Sequence, residues 1–140
     1  MRERWFTAIL AVLATLLLSG STLAADYDVE VGAETGAGKD AGVLRCVFDK
    51  LCAVPLPALG LKASIYISRK EPGLADVSLY GDDPSCCYFT DASGSIDVDS
   101  AKPASRVPFF RGARARGGLF IRNERAGTLF LRFHFLRDKV

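Results

Sequence analysis

Beyond residue 24 the apolar positions alternate with polar ones more often than they recur at helical spacing. Tyr27-Asp28-Val29-Glu30-Val31 alternates, and Ala63-Ser64-Ile65-Tyr66-Ile67-Ser68 puts Ile65 and Ile67 on one face with the serines on the other. Asp76-Val77-Ser78-Leu79-Tyr80 repeats the pattern with Val77 and Leu79 inward. Val43 to Phe48 is apolar apart from Arg45, and Cys86 to Thr90 and Ile96 to Val98 are shorter runs of the same kind. Period-two patterning predicts half-buried antiparallel strands. The breaks between runs carry turn residues: Pro55, Pro57 and Gly60, then Glu71-Pro72-Gly73, Gly81-Asp82-Asp83-Pro84 and Ala92-Ser93-Gly94. One helical turn fits around Leu56 to Leu61, where two prolines limit it.

The C-terminal region reads as a hairpin. Gly118 to Asn123 and Thr128 to Leu136 flank Glu124-Arg125-Ala126-Gly127, a short loop whose last glycine suits a positive φ. In the second arm Leu129, Leu131, Phe133 and Phe135 share a core face, and Phe130, Arg132, His134 and Leu136 share the other. The expected fold is all-β: a small, disulfide-stabilised antiparallel β-sandwich, with a partly open β-barrel as the alternative.

The first residues break this pattern and predict export. Arg2 and Arg4 precede a short apolar run from Trp5 to Leu18, and small residues lead to Leu23-Ala24-Ala25. This is the form of a secretory signal peptide cut after Ala24, preceding the fold as a cleaved helix. The run is short of the roughly 20 residues a membrane span needs, and no later segment supplies one. The expected organisation is a signal peptide at 1–24, a flexible Gly/Ala-rich segment with a possible first strand at 25–41, and one β domain at 42–140. The chain has the form of a bacterial exported protein, either kept in the periplasm or released outside the cell.

Val31-Gly32-Ala33-Glu34-Thr35-Gly36-Ala37-Gly38-Lys39-Asp40 resembles a phosphate-binding loop only in part. Asp40 stands where a metal-binding hydroxyl is needed, and the residues that follow read as a strand, not a helix. The segment predicts no nucleotide site.

Charge is unevenly placed. Residues 25–101 hold six basic and thirteen acidic side chains; residues 102–140 hold ten basic and two acidic. Two readings follow: a basic strand lying beside acidic loops, or a basic patch that attracts an anionic partner. The second centres on Arg106, Phe109, Phe110, Arg111, Arg114 and Arg116, arginines interleaved with aromatic residues and glycines. Export points away from nucleic acid and towards an anionic envelope component or an acidic protein.

Four cysteines, Cys46, Cys52, Cys86 and Cys87, predict two disulfides in an oxidising compartment. Three pairings are possible. Joining the 46–52 segment to the 86–87 segment is favoured, because the longer loop constrains the unfolded chain more. A bond between neighbours is disfavoured, because trans-linked Cα atoms lie closer than ordinary disulfides require. The C-x5-C spacing and single histidine do not form a zinc site.

Catalytic chemistry finds little support. His134 is the only histidine and lies between two phenylalanines, with no G-x-S-x-G elbow in the chain. The stretch from Asp91 to Asp99 offers side-chain oxygens at every second position, and Asp91, Asp97 and Asp99 are its candidate calcium ligands, without the glycine and glutamate positions of an EF-hand loop. The expected function is therefore a non-enzymatic exported protein, with a binding or structural role in the cell envelope and no cofactor. A calcium-stabilised module, or an enzyme built around His134, is the alternative.

Overall fold

Strand β1 (Tyr27–Thr35) turns its alternation directly into architecture. Tyr27, Val29, Val31 and Ala33 are buried, and the residues between them face outward. A two-residue turn returns the chain as β2 (Gly38–Cys46), which pairs with β1 from Thr35–Gly38 to Tyr27–Cys46. Residues 25–41, read from the sequence as a flexible segment with a possible first strand, hold β1 and the start of β2. The Gly/Ala composition weakens the strand signal, but the Val29–Val31–Ala33 stripe still has a core to meet. The structure, a computed structural model, describes residues 25–90, 93–114 and 120–136, with the backbone alone at 113, 114 and 120–123.

The remaining strands are β3 (Cys52–Leu56), β4 (Leu61–Ile67), β5 (Leu74–Gly81), β6 (Cys86–Tyr88), β7 (Ser95–Asp99), β8 (Ser105–Arg114) and β9 (Phe120–Phe135). They form two antiparallel sheets. One, curled into a half-barrel, has the order β2-β1-β9-β8-β6; the other has the order β3-β4-β5-β7. The core draws on both, from Val29, Val31, Leu129 and Leu131 in the first to Val54, Ile65, Ile67, Val77 and Leu79 in the second. Pro55 lies in the edge strand β3, where a missing N–H costs no ladder bond. The helical turn expected near Leu56–Leu61 is a 3₁₀ turn at Pro57–Leu59. It ends at Gly60, whose φ of 62° a side chain would resist.

The C-terminal hairpin is corrected. Residues 120–135 are one strand, and Glu124–Gly127 is not a turn. Gly127 does not have a positive φ. It pairs with Thr35 of β1 on one side and Phe109 of β8 on the other. A Cβ at Gly127 would collide with the Glu34 carbonyl oxygen and come within 2.8 Å of the Phe109 ring. Glycine is needed there for close approach, not for a turn. The expected two-face pattern does hold from Leu129 onward. Leu129 and Leu131 are buried, Phe133 and Phe135 are half-buried against the core, and Arg132 and His134 are exposed.

Cysteine pairing also departs from expectation. Cys46 lies at disulfide distance from Cys52, with Cα atoms 5.8 Å apart, and Cys86 lies at disulfide distance from Cys87. The Cys86–Cys87 peptide is cis, and its Cα atoms are 3.0 Å apart. The favoured cross-segment pairing fails because the two segments occupy opposite ends of the sheets. Cys52 pairs across from Ile65, whereas Cys86 packs against Gly81, which pairs with Leu61. Four residues of β4 separate these levels, about 13 Å along a strand.

Candidate functional site: an arginine-bearing arm and the sheet face beside it

Two bulges shape the far half of β9. Between Phe109–Gly127 and Phe110–Arg125 the register slips at Ala126; between Ala113–Arg122 and Arg114–Phe120 it slips again at Ile121. Each extra residue on one strand reverses the face alternation and adds twist. The β1 pairing stops at Thr35–Gly127. Residues 120–126 therefore continue past β1 with β8 as their strand partner, over about 20 Å of strand. On the other side of β8 only the three-residue β6 follows, pairing Cys86 with Arg111 and Tyr88 with Phe110. The result is an arm made of the ends of β8 and β9.

Half of the net positive charge of residues 102–140 falls within residues 111–125. Residues 111–125 contain five arginines and one glutamate. Arg111 is exposed and stands opposite Glu124; Arg122 is placed opposite Ala113, and Arg125 opposite Phe110. Arg125 donates a hydrogen bond to the Thr128 hydroxyl at 2.9 Å. At the base, Asp83 accepts the Ser85 N–H at 2.9 Å. That bond, more than the nearby Arg111 guanidinium, holds the Asp83 carboxyl below its usual pKa, so it stays ionised beside the arm.

The residues offered for an anionic contact separate into three groups. Arg111 and Arg114 lie on the arm, and Arg116 lies outside the described residues. Phe109 is buried at 1 % exposure beneath Gly127 and cannot contact a partner, a correction to the sequence reading. Its neighbour Phe110 is half-buried at the root of the arm. Arg106 lies elsewhere, on the outer face of the curled sheet, with its guanidinium 5.2 Å from the centre of the Phe130 ring. Beside it a groove of about 400 Å³ is bordered by Glu30, Val43, Phe130 and Arg132. The sequence reading did not single out Phe130 and Arg132 as site residues. Their place on the outward half of a clean alternation was the available signal.

The outer face also shows where part of the charge asymmetry is settled internally. Arg132 meets Glu30 at 3.5 Å, Arg45 meets Asp28 at 3.3 Å, and Lys39 meets Glu34 at 3.7 Å. The C-terminal Arg132 thus answers an N-terminal acid across the β1–β9 ladder. No comparable ion pair faces Arg106 among the described residues.

His134 is exposed on this face and stands opposite Asp28. Among the described residues no hydrogen bond joins the two side chains, and the Asp28 carboxylate faces Arg45. Asp97 and Asp99 are exposed on β7, with Asp97 opposite Asp76 and Asp99 opposite Leu74; Asp91 lies outside the described residues. Among the described residues no group of three or more acidic, histidine or cysteine side chains is gathered as a metal site would need. No family model matches this chain, and neither does any curated protein or solved structure.

Proposed function

We propose that this is a small exported, non-enzymatic protein, a disulfide-stabilised β-sandwich, that binds an anionic partner of the cell envelope through the β8–β9 arm. The observation that carries the reading is the arm itself. The ladder that closes the core ends at Gly127, and the strand pair beyond it concentrates arginine. Guanidinium groups bind carboxylates and phosphates in a bidentate fork, so a cluster held on paired strands presents several such contacts together. Arg132 is matched by Glu30 and serves the fold, whereas residues 111–125 set five arginines against one glutamate.

Replacing Arg111, Arg114 and Arg116 together by serine tests this. Association with envelope extract should fall and should lose its dependence on salt concentration, while stability changes by no more than about 0.5 kcal/mol, as for ordinary surface positions. Unchanged envelope association would remove the arm from the contact.

A further inference from the structure

We infer a second binding site, separate from the arm: a row of residues across the outer face of the curled sheet that holds a uronic acid ring of an acidic polysaccharide. Register places Ala41, Gly32, Phe130 and Arg106 side by side on β2, β1, β9 and β8. The row is about 14 Å long, three strand spacings. The groove of about 400 Å³ adjoins a second recess of about 570 Å³, and these four residues line both. Arg106 lies over the Phe130 ring from the β8 side. On the β1 side the row sets no side chain beside the ring before the Ala41 methyl, because the intervening position is Gly32. An aromatic surface is therefore left open next to a guanidinium.

The charge around the row selects the ligand. Glu30 faces Arg132 at 3.5 Å, Glu34 faces Lys39 at 3.7 Å, and Asp40 accepts the Ala58 N–H at 2.9 Å. The acids bordering the two recesses are thus engaged, and no acid among the described residues pairs with Arg106. The row suits one carboxylate, which a guanidinium takes in a bidentate fork, joined to a flat face that packs on an aromatic ring. A uronic acid ring carries both. Its hydroxyl groups find donors and acceptors in the Glu30–Arg132 and Glu34–Lys39 pairs on either side of the row. A polyanion without a ring face leaves Phe130 unused. A peptide gains its main-chain hydrogen bonds along a sheet edge, whereas this row crosses the strands, and the backbone of Gly32 and Phe130 is flanked by paired strands on both sides.

Calorimetric titration of the purified protein with trigalacturonic acid tests this, with neutral galactotriose and polyglutamate as controls. Trigalacturonate should bind, and both controls should bind much more weakly. Arg106→Gln keeps the stem without the charge and should weaken trigalacturonate binding by roughly ten- to a hundredfold, the range for a hydrogen bond to a charged group. Phe130→Leu keeps an apolar side chain without a flat face and should weaken it by roughly three- to tenfold. Gly32 has no positive φ, and a Cβ there would meet its neighbours at 3.7 Å or more. Gly32→Leu should therefore keep the parent's urea unfolding yet fill the row and abolish binding. Replacing Arg111, Arg114 and Arg116 by serine should leave trigalacturonate affinity at the parent's value, which separates this site from the arm. Equal binding of galactotriose or polyglutamate would overturn the uronic acid assignment. No binding of trigalacturonate, or binding undiminished by Arg106→Gln and Gly32→Leu, would overturn the site itself and leave the arm's envelope contact standing.

Discussion

The two halves of β9 follow different rules. From Gly127 to Phe135 the strand pairs with β1 without a slip, lies between β1 and β8 as far as Leu131, and buries Leu129 and Leu131. From Phe120 to Ala126 it has lost β1, slips register twice against β8, and carries Arg122 and Arg125. Same-face burial forces strict alternation, because one slipped residue would turn the whole stripe to water. Past the end of β1 the strand is no longer held in register from both sides, and bulges and charge are tolerated. One strand thus serves the core with its regular half, and its irregular half forms the arm proposed to contact a partner.

The largest expected effect comes from breaking the regular half. Leu131→Asp would place a charge at a site 2 % exposed, between Val31 and Ser105 across the ladder. An unpaired buried charge costs on the order of 4–5 kcal/mol or more, comparable to the entire stability of a small domain. The variant should show no cooperative thermal unfolding by circular dichroism. A folded variant with a melting curve like the parent's would mean that the β1–β9 seam is not the core.

Next in size is the junction between the halves. Gly127→Ala adds a single methyl group, directed at the Glu34 carbonyl oxygen and the Phe109 ring. Neither neighbour is the free end of a flexible side chain, so backbone must shift. A loss of about 2–4 kcal/mol is expected in urea unfolding, large for a single added methyl. If alanine is tolerated within about 0.5 kcal/mol, the three strands do not pass as tightly as described.

The same contrast explains what could be read from the chain. The stripes Ile65–Ile67, Val77–Leu79 and Leu129–Leu131 were legible because burial on one face leaves a period of two in the sequence. The Glu124–Gly127 stretch was misread as a turn because glycine signals both positive φ and close approach, and only the neighbouring strands distinguish them. Phe109 and Phe110 looked equivalent, yet successive strand residues face opposite ways, which turns one ring into the core and leaves the other half-exposed. The cysteine pairing could not follow from loop entropy, because that argument describes the unfolded chain. Which segments meet is decided by the two ends of the folded sheets. The arginine cluster was plain in the composition, but its position on an arm depended on where β1 stops.

The smallest effect at neutral pH is the one that probes the packing of the regular half most closely. Tyr27 is fully buried against Phe48, Phe133 and Phe135, with ring centres 5.6, 6.4 and 6.1 Å away. Its hydroxyl has no hydrogen-bond partner among the described residues. Burial first, and the adjacent Asp26 carboxylate second, push its pKa up from 10.0 to about 12. The unfolded chain therefore releases this proton near pH 10, while the folded chain keeps it to about pH 12. A raised folded pKa gives a contribution fully present below the unfolded pKa and lost as pH rises through that window. The slope is about 1.4 kcal/mol per pH unit for a single group. Tyr27→Phe removes the titration and an unsatisfied hydroxyl, so at pH 7 it should change stability by less than about 1 kcal/mol, in either direction. Between pH 10 and 12 the variant should lose stability less steeply than the parent, since the exposed tyrosines common to both cancel. Parallel unfolding curves for the two proteins across that range would show that the phenol is not enclosed between β1, β9 and the Phe48 ring.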